Sequence, residues 1–357
     1  MSGRRTSGSP GRRERAAAFG PGRVNLIGEH TDYNEGLALP FAITEGVTVR
    51  AAATGEPRIE ALAVDLGEED AFDLANPSRS ARGWRAFVHG SVAELASAGV
   101  ELTGARIEIA GTVPQGAGLS SSAALEVALC LALIALTGAE PPERRSLARL
   151  CSRVESQWVG ARTGLLDQLA SLFGEPDAAL RIDFRSLEIE PVPLGLGGWR
   201  LVTLDSGERH ANAESGYNER RAECARAAEA LGIASLRDAD LSMVSALPSP
   251  LAERVRHVIA ENERVDLTVA ALRDGDLAEV GRLLDASHAS LRDLYEVSTP
   301  AVESAVATLR QAGAAGARVM GGGFGGHVLG LMPPGTAAPA GAHEVRSGPG
   351  AHMIEDF

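Results

Sequence analysis

A glycine-rich loop that passes through three serines into a long apolar helix constrains this chain more than any other stretch. It reads GTVPQGAGLSSSAALEVALCLALIAL at Gly111–Leu136. A helix apolar on every face has to lie inside a core, so one domain must be built around it. The run Ala123–Leu136 is interrupted by Glu126 and falls short of the ~20 apolar residues that span a bilayer. Arg106–Ala110, just ahead, reads as a strand. Ser120, Ser121 and Ser122 are an N-cap signal, because a hydroxyl there can accept from free N–H groups of the first turn. Gly116 and Gly118 let backbone come close to a ligand. A helix N-terminus offers unpaired N–H donors and about half a positive charge, which suits a phosphate. The stretch is therefore either a phosphate cradle or a glycine turn ahead of a buried helix.

Composition narrows the partners. The chain has 357 residues, enough for about two domains with real cores, and a formal net charge of -13. It contains no lysine. An acidic surface lacks the electrostatic footprint of a nucleic-acid or anionic-membrane binder. A Walker A loop is excluded, since its lysine must reach the phosphates. Any phosphate site must use backbone N–H groups, arginine or a metal. Cys130, Cys151 and Cys224 show neither metal-ligand spacing nor a disulfide framework, which points to a reducing cytoplasm.

Residues 1–19 hold five arginines among Ser, Gly and Pro and have no apolar segment, so they read as a disordered tail. Gly20–Ile43 packs Arg23, Asn25, Glu29, His30, Asp32, Tyr33 and Asn34 between two apolar runs. Such a cluster can hydrogen-bond several hydroxyls of one small polar ligand. Trp84–Ala98 has helical spacing, and Trp84 taken alone reads as a core aromatic. Arg144–Val159 is helical with Leu147, Leu150, Val154 and Trp158 on one face and Glu155 near it. Asp167, among Leu165, Leu166 and Leu169, is costly to bury without partners. It reads as a base or as a hydrogen-bonded structural acid. The loop-rich segment Pro191–Gly198 marks a domain boundary, giving domains 20–190 and 191–357. Helices fill Ala222 to about Leu294, and His288 in the last of them reads as a packing residue. Arg318–Met332 is strand, glycine loop, strand. Its Gly321, Gly323 and Gly326 match G-x-G-x-x-G, but no helix follows, so a hairpin fits better than a dinucleotide fingerprint.

Three blocks together carry a resemblance. Gly20–Asn34, GPGRVNLIGEHTDYN, resembles the signature of the galactokinases among the GHMP small-molecule kinases. Pro114–Ala124 resembles that family's phosphate-binding motif, and Gly321–Gly326 its third, glycine-rich motif. The resemblance implies a two-domain α+β fold, with the active site in the cleft between an N-terminal α/β domain and a C-terminal α+β domain. It implies transfer of the ATP γ-phosphate to the anomeric hydroxyl of galactose. Gly116, Ala117, Gly118, Leu119, Ser120, Ser121 and Ser122 would wrap the ATP phosphates, and Trp84 would contact the adenine. Ser122 and Glu155 would hold Mg2+. Asp167 would be the catalytic aspartate, set in Gly164-Leu165-Leu166-Asp167-Gln168, with Arg23 beside it. Glu29, His30, Thr31, Asp32, Gly164 and Tyr217 would bind the sugar. Met320 stands where the family often has threonine, and Ala86 and Phe87 replace the usual Asn and Tyr near Trp84. The expected partners are galactose and ATP, with no nucleic acid and no membrane, and a monomer is expected. A kinase of N-acetylgalactosamine or arabinose is the first alternative; a non-catalytic sugar and ATP sensor is the second, although such relatives lose small residues from the serine loop and Ser120-Ser121-Ser122-Ala123-Ala124 is complete here.

Overall fold

The computed structural model describes residues 11–113, 118–160, 164–209 and 213–355. In the first half the order is β1 (Arg15–Asn25), β2 (Leu37–Ala38), β3 (Pro40–Ala53), β4 (Arg58–Ala63), β5 (Glu68–Asp73), α1 (Trp84–Ser97), β6 (Ala105–Gly111), α2 (Ser121–Thr137), α3 (Arg144–Val154), α4 (Leu166–Phe173), β7 (Ala178–Asp183) and β8 (Glu188–Pro193). The second half contains β9 (Arg200–Arg209), α5 (Ala213–Leu231), α6 (Leu251–Asp274), α7 (Leu277–Asp293), α8 (Pro300–Gln311), β10 (Gly316–Val319), β11 (Gly325–Met332), β12 (His343–Val345) and β13 (His352–Met353). A six-stranded sheet runs β13-β1-β3-β6-β4-β5, with β4 and β6 its parallel pair. A four-stranded sheet, β10-β11-β9-β12, organises the second half, and β2-β7-β8 form a third.

The apolar helix α2 is the pillar of the first half. Its side chains from Ala123 to Ile134 are all buried, and it lies across β1 and β3. Two glycines on β1 make that seat possible. A Cβ at Gly20 would stand 2.1 Å from the Ala124 carbonyl oxygen, and one at Gly22 would stand 2.5 Å from the Leu119 carbonyl oxygen. The strand register shifts between Pro21 and Arg23, and there the Arg23 N–H donates to the Leu119 carbonyl at 3.0 Å. The loop ahead of α2 is thus pinned to β1 by backbone, through a bulge that re-aims the next side chain. No helix among the described residues is long and apolar enough to cross a membrane.

Three expectations need correction. The disordered tail drawn over residues 1–19 is too long: β1 starts at Arg15 and pairs Ala16 with Ala51, because Ala16–Ala18 supply a small apolar strand face. The boundary at 190/191 cuts through β8, where Pro191 pairs with Leu180. The proline misled, since an edge strand tolerates it. The end of the chain also returns to the first sheet, where β13 pairs Met353 with Ala18. Finally, Ser120 occupies the N-cap position of α2 but its hydroxyl makes no cap bond; its φ is 57°.

Replacing Gly20 with Ala should drive α2 away from β1. We expect a loss of about 1–3 kcal/mol in urea unfolding, the usual cost of overpacking. An unchanged unfolding midpoint would show that the helix seat tolerates the methyl group.

Candidate active site

Four segments meet at the start of α2. The bulge on β1 sends Arg23 towards α4. There its Nε donates to Asp167 Oδ1 at 2.8 Å, and its Nη2 lies 2.6 Å from the same oxygen. Arg23 Nη1 donates to the Gly118 carbonyl at 2.6 Å. The Ser120 hydroxyl donates to Asp167 Oδ2. The carboxylate predicted to need partners has them on both oxygens, and one arginine joins it to the glycine–serine loop. With its hydroxyl spent on Asp167, Ser120 makes no side-chain cap bond to α2. The N–H groups of the first turn are thereby left available as anion donors among the described residues. Gly116 and Ala117 of that loop lie outside the described residues.

Beside the helix start is a cleft of about 460 Å³ lined by Trp84, Phe87, Val113, Ser121, Ser122 and Leu125. Trp84 is half-buried at its rim, with Nε1 donating to Glu68 Oε2 at 2.8 Å, so it is not the core aromatic its spacing suggested. The lining of the cleft is mostly apolar and includes Ser121 and Ser122 from the start of α2, which suits a flat heterocycle carried beside phosphates.

The polar cluster after β1 approaches the segment that leads into α4. A Cβ at Gly164 would stand 1.8 Å from Asp32 Oδ2, so the absent side chain lets Asp32 reach the segment that carries Asp167. Burial above all, with the charges of Asp167 and Glu29, raises the Asp32 carboxyl to about 6. The His30 ring lies 5.4 Å from that of Tyr217 and 4.6 Å from that of Tyr295. Burial lowers His30 to about 3, so the ring is neutral at physiological pH. Burial, then Asp32, pushes the Tyr217 hydroxyl well up, leaving it a proton donor. Glu29 Oε1 accepts the Gly321 N–H at 2.8 Å and lies 3.0 Å from Arg318 Nη2. It ties the cluster to the glycine hairpin of the second half. Thr31, expected to touch ligand, is fully buried, and its hydroxyl bridges the Gly28 carbonyl at 2.9 Å and the Leu37 carbonyl at 2.7 Å. It closes the loop that presents its neighbours. Met320 is buried in the core behind the glycine hairpin, so it offers the cleft no counterpart to threonine's hydroxyl.

Glu155 ends α3 and opens a π-helical turn, Glu155–Val159, a local widening often found at functional sites. Its Oε2 accepts from Gln168 Nε2 at 3.0 Å, and the same nitrogen donates to Glu126 Oε2 at 3.2 Å. Burial, then Glu155, pushes the Glu126 carboxyl well above the usual range. Glu126 Oε1 has no hydrogen-bond partner among the described residues. Glu126 was read only as a break in an apolar run. The available signal was its place one turn after Ser122, on the same helix face. Oxygen donors from Ser122 and Glu155 suit a hard cation. No group of three or more His, Cys, Asp or Glu among the described residues could hold one alone. That donor set fits Mg2+, which usually completes its shell with waters and substrate phosphates.

The chain is similar to known proteins over most of its length. Residues 86–175 match the N-terminal domain of the GHMP kinases, residues 268–349 their C-terminal domain, and residues 8–53 the galactose-binding signature of galactokinases. A Methanococcus jannaschii mevalonate kinase, 17% identical, covers 93% of this chain and 98% of its own with a TM-score of 0.65, a likeness of fold. The fold is that of the GHMP kinases. A Roseiflexus galactokinase is 44% identical over 327 residues, 87% of this chain and 82% of its own. One from Mycobacterium tuberculosis is 43% identical over 319 residues, 88% of each. The Lactococcus lactis galactokinase, solved with galactose, superposes with a TM-score of 0.88 at 32% identity and 96% coverage of both chains. This chain belongs to the galactokinase family.

The raised carboxyl of Asp32 has a measurable consequence. Folding makes this group harder to ionise, so the native chain holds more protons than the unfolded one between about pH 4 and 6. Stability on its account falls as pH rises through that window and stays lowered above it. Asp32→Asn should recover up to about 3 kcal/mol at pH 7 in urea unfolding and flatten the decline between pH 4 and 6. A variant less stable than the wild type across the range would contradict this.

Proposed function

We propose that this chain is an ATP-dependent sugar 1-kinase that transfers the γ-phosphoryl group of ATP to the C1 hydroxyl of α-D-galactose. The observation that carries the reading is the position of Asp167. It is bonded to Arg23 and Ser120 of the phosphate-loop side, and it shares its segment with Gly164, which opens onto Asp32. One carboxylate thus stands between an anion-binding helix start and a wall built to receive hydroxyls.

In the reaction the galactose O1–phosphorus bond forms as the bond from the γ-phosphorus to its bridging oxygen breaks, releasing ADP. The O1 proton passes to Asp167 and then to solvent. Such transfers depend on positioning and charge neutralisation more than on covalent help. Asp167 orients O1, with Oδ2 exchanging the Ser120 hydroxyl for that of the sugar. General-base help of this kind is worth ~10²–10⁴-fold. Arg23 holds the carboxylate in place, and its charge lies beside the path of the phosphoryl group. The amides of Gly118–Ser122 stabilise phosphate oxygens. Asp32, neutral His30 and Tyr217 receive the remaining sugar hydroxyls, and Glu29 fixes their loop to the glycine hairpin. Trp84 and the apolar cleft take the adenine. When bound by Ser122 and Glu155, Mg2+ neutralises phosphate charge. The three buried, free cysteines support a reducing, cytoplasmic setting.

Purified protein should release ADP from ATP and Mg2+ in the presence of galactose, and more slowly or not at all with N-acetylgalactosamine, arabinose or glucose. Asp167→Asn should keep galactose affinity within about tenfold while turnover drops by ~10² or more. Binding of both ligands without galactose-dependent ADP would overturn the kinase reading, and near-normal turnover of the variant would remove Asp167 from its role.

A further inference from the structure

Residues 167 and 168 begin the same helix and face different machinery. Asp167 turns to Arg23 and Ser120, while Gln168 is fully buried and turns inward, between α2 and α3. Its Nε2 meets two carboxylates, Glu126 Oε2 at 3.2 Å and Glu155 Oε2 at 3.0 Å. Only an NH2 group can satisfy two acceptors at once, so the chemistry fixes which way the amide points. One turn further into the core, the Cys130 and Cys151 sulfurs lie 3.9 Å apart. Glu126 and Cys130 are four residues apart on α2, and so are Cys151 and Glu155 on the other helix. The two helices therefore meet in layers, acids above thiols, and Gln168 is inserted from α4 into the upper layer. Glu155 stands at the head of the π-helical turn.

We infer that Gln168 is a positioning residue for the metal-binding carboxylate: its amide, held from behind by Glu126, presents Glu155 to the divalent ion of the nucleotide. The inference rests on the kinase reading above. Glu126 acts here as an acceptor for the amide and not as a ligand, so what it must supply is an oxygen. The same first turn of α4 then sets both the residue that meets the sugar and the residue that orders the metal site. This gives the two half-sites one mechanical origin. Partners behind a metal ligand commonly govern affinity by about 10–100-fold.

The test is calorimetric titration of ADP, with and without Mg2+, and of galactose alone, on the full chain. Mg2+ should tighten ADP binding to the wild type. Gln168→Met, which keeps length and volume but has no donor, should lose about tenfold or more of that tightening. Its metal-free ADP affinity and its galactose affinity should stay within about twofold of the wild type. Glu126→Gln keeps an oxygen for the amide and should retain the wild-type response, whereas Glu126→Met should lose it. If Gln168→Met fails to fold, by circular dichroism, the Glu126 pair decides alone. Full Mg2+ tightening in Gln168→Met or Glu126→Met overturns the inference. So does its loss in Glu126→Gln, which would make Glu126 a ligand, and so does an equal loss of metal-free ADP and galactose binding, which would make the role structural. Absence of Mg2+-dependent ADP binding in the wild type would instead count against the kinase reading itself.

Discussion

The bonds from Arg23 to Asp167 and to the Gly118 carbonyl are what the rest of the site depends on. They join a strand, a loop and a helix that are far apart in sequence, and they do so at the point where β1 bulges. The arginine side chain is about a tenth exposed and the aspartate side chain about a fifth, so the pair is shielded from bulk water yet open to a ligand. Breaking one member of such a pair leaves the other charge poorly compensated, which costs more than a surface contact would. In a chain without lysine, Arg23 is the cation set directly beside Asp167, and the start of α2 adds main-chain amides close by.

Around that pair the fold divides its labour by rigidity. The core helix α2 presents its start as a fixed anion site, because Gly20 and Gly22 let it rest directly on β1 backbone. The polar loop after β1 is held differently, by polar contacts that cross the molecule. Glu29 reaches Arg318 and Gly321, the His257 ring meets the Glu29 carbonyl at 3.2 Å, and Glu261 accepts the Gly28 N–H at 3.0 Å. Arg318 is fully buried and donates to the carbonyls of Asn25 and Leu26. These contacts from the second half of the chain hold the polar loop to the rest of the molecule. Second-half residues thereby brace a first-half loop.

The pattern of residues made much of this legible, for identifiable reasons. A helix apolar all round could only be a core helix, and a glycine run between two β-like segments fits a hairpin better than a dinucleotide fingerprint. The density of polar groups at Arg23–Asn34 announced a site before any contact was known, and the resemblance assigned its members roles. Other features depended on tertiary contacts that spacing does not encode. Ser120 satisfies every local rule for a cap, yet Asp167 is the better acceptor at hand and takes its hydroxyl. Thr31 sits in the middle of the signature but faces the loop's own carbonyls. Glu126 looked like an interruption because its partners, Gln168 and Glu155, come from two other helices. The early start of β1 escaped notice because three alanines carry little strand signal of their own.

The central claim is that one carboxylate connects the phosphate loop to the sugar wall. A crystal structure of the chain with galactose, a non-hydrolysable ATP analogue and Mg2+ tests it most directly. The account predicts the galactose C1 hydroxyl within hydrogen-bond distance of Asp167, on a line to the terminal phosphate, with Arg23 still on Oδ1 and the phosphates on the amides of Gly118–Ser122. A sugar whose C1 hydroxyl lies away from Asp167, or phosphates seated elsewhere than the start of α2, would contradict it.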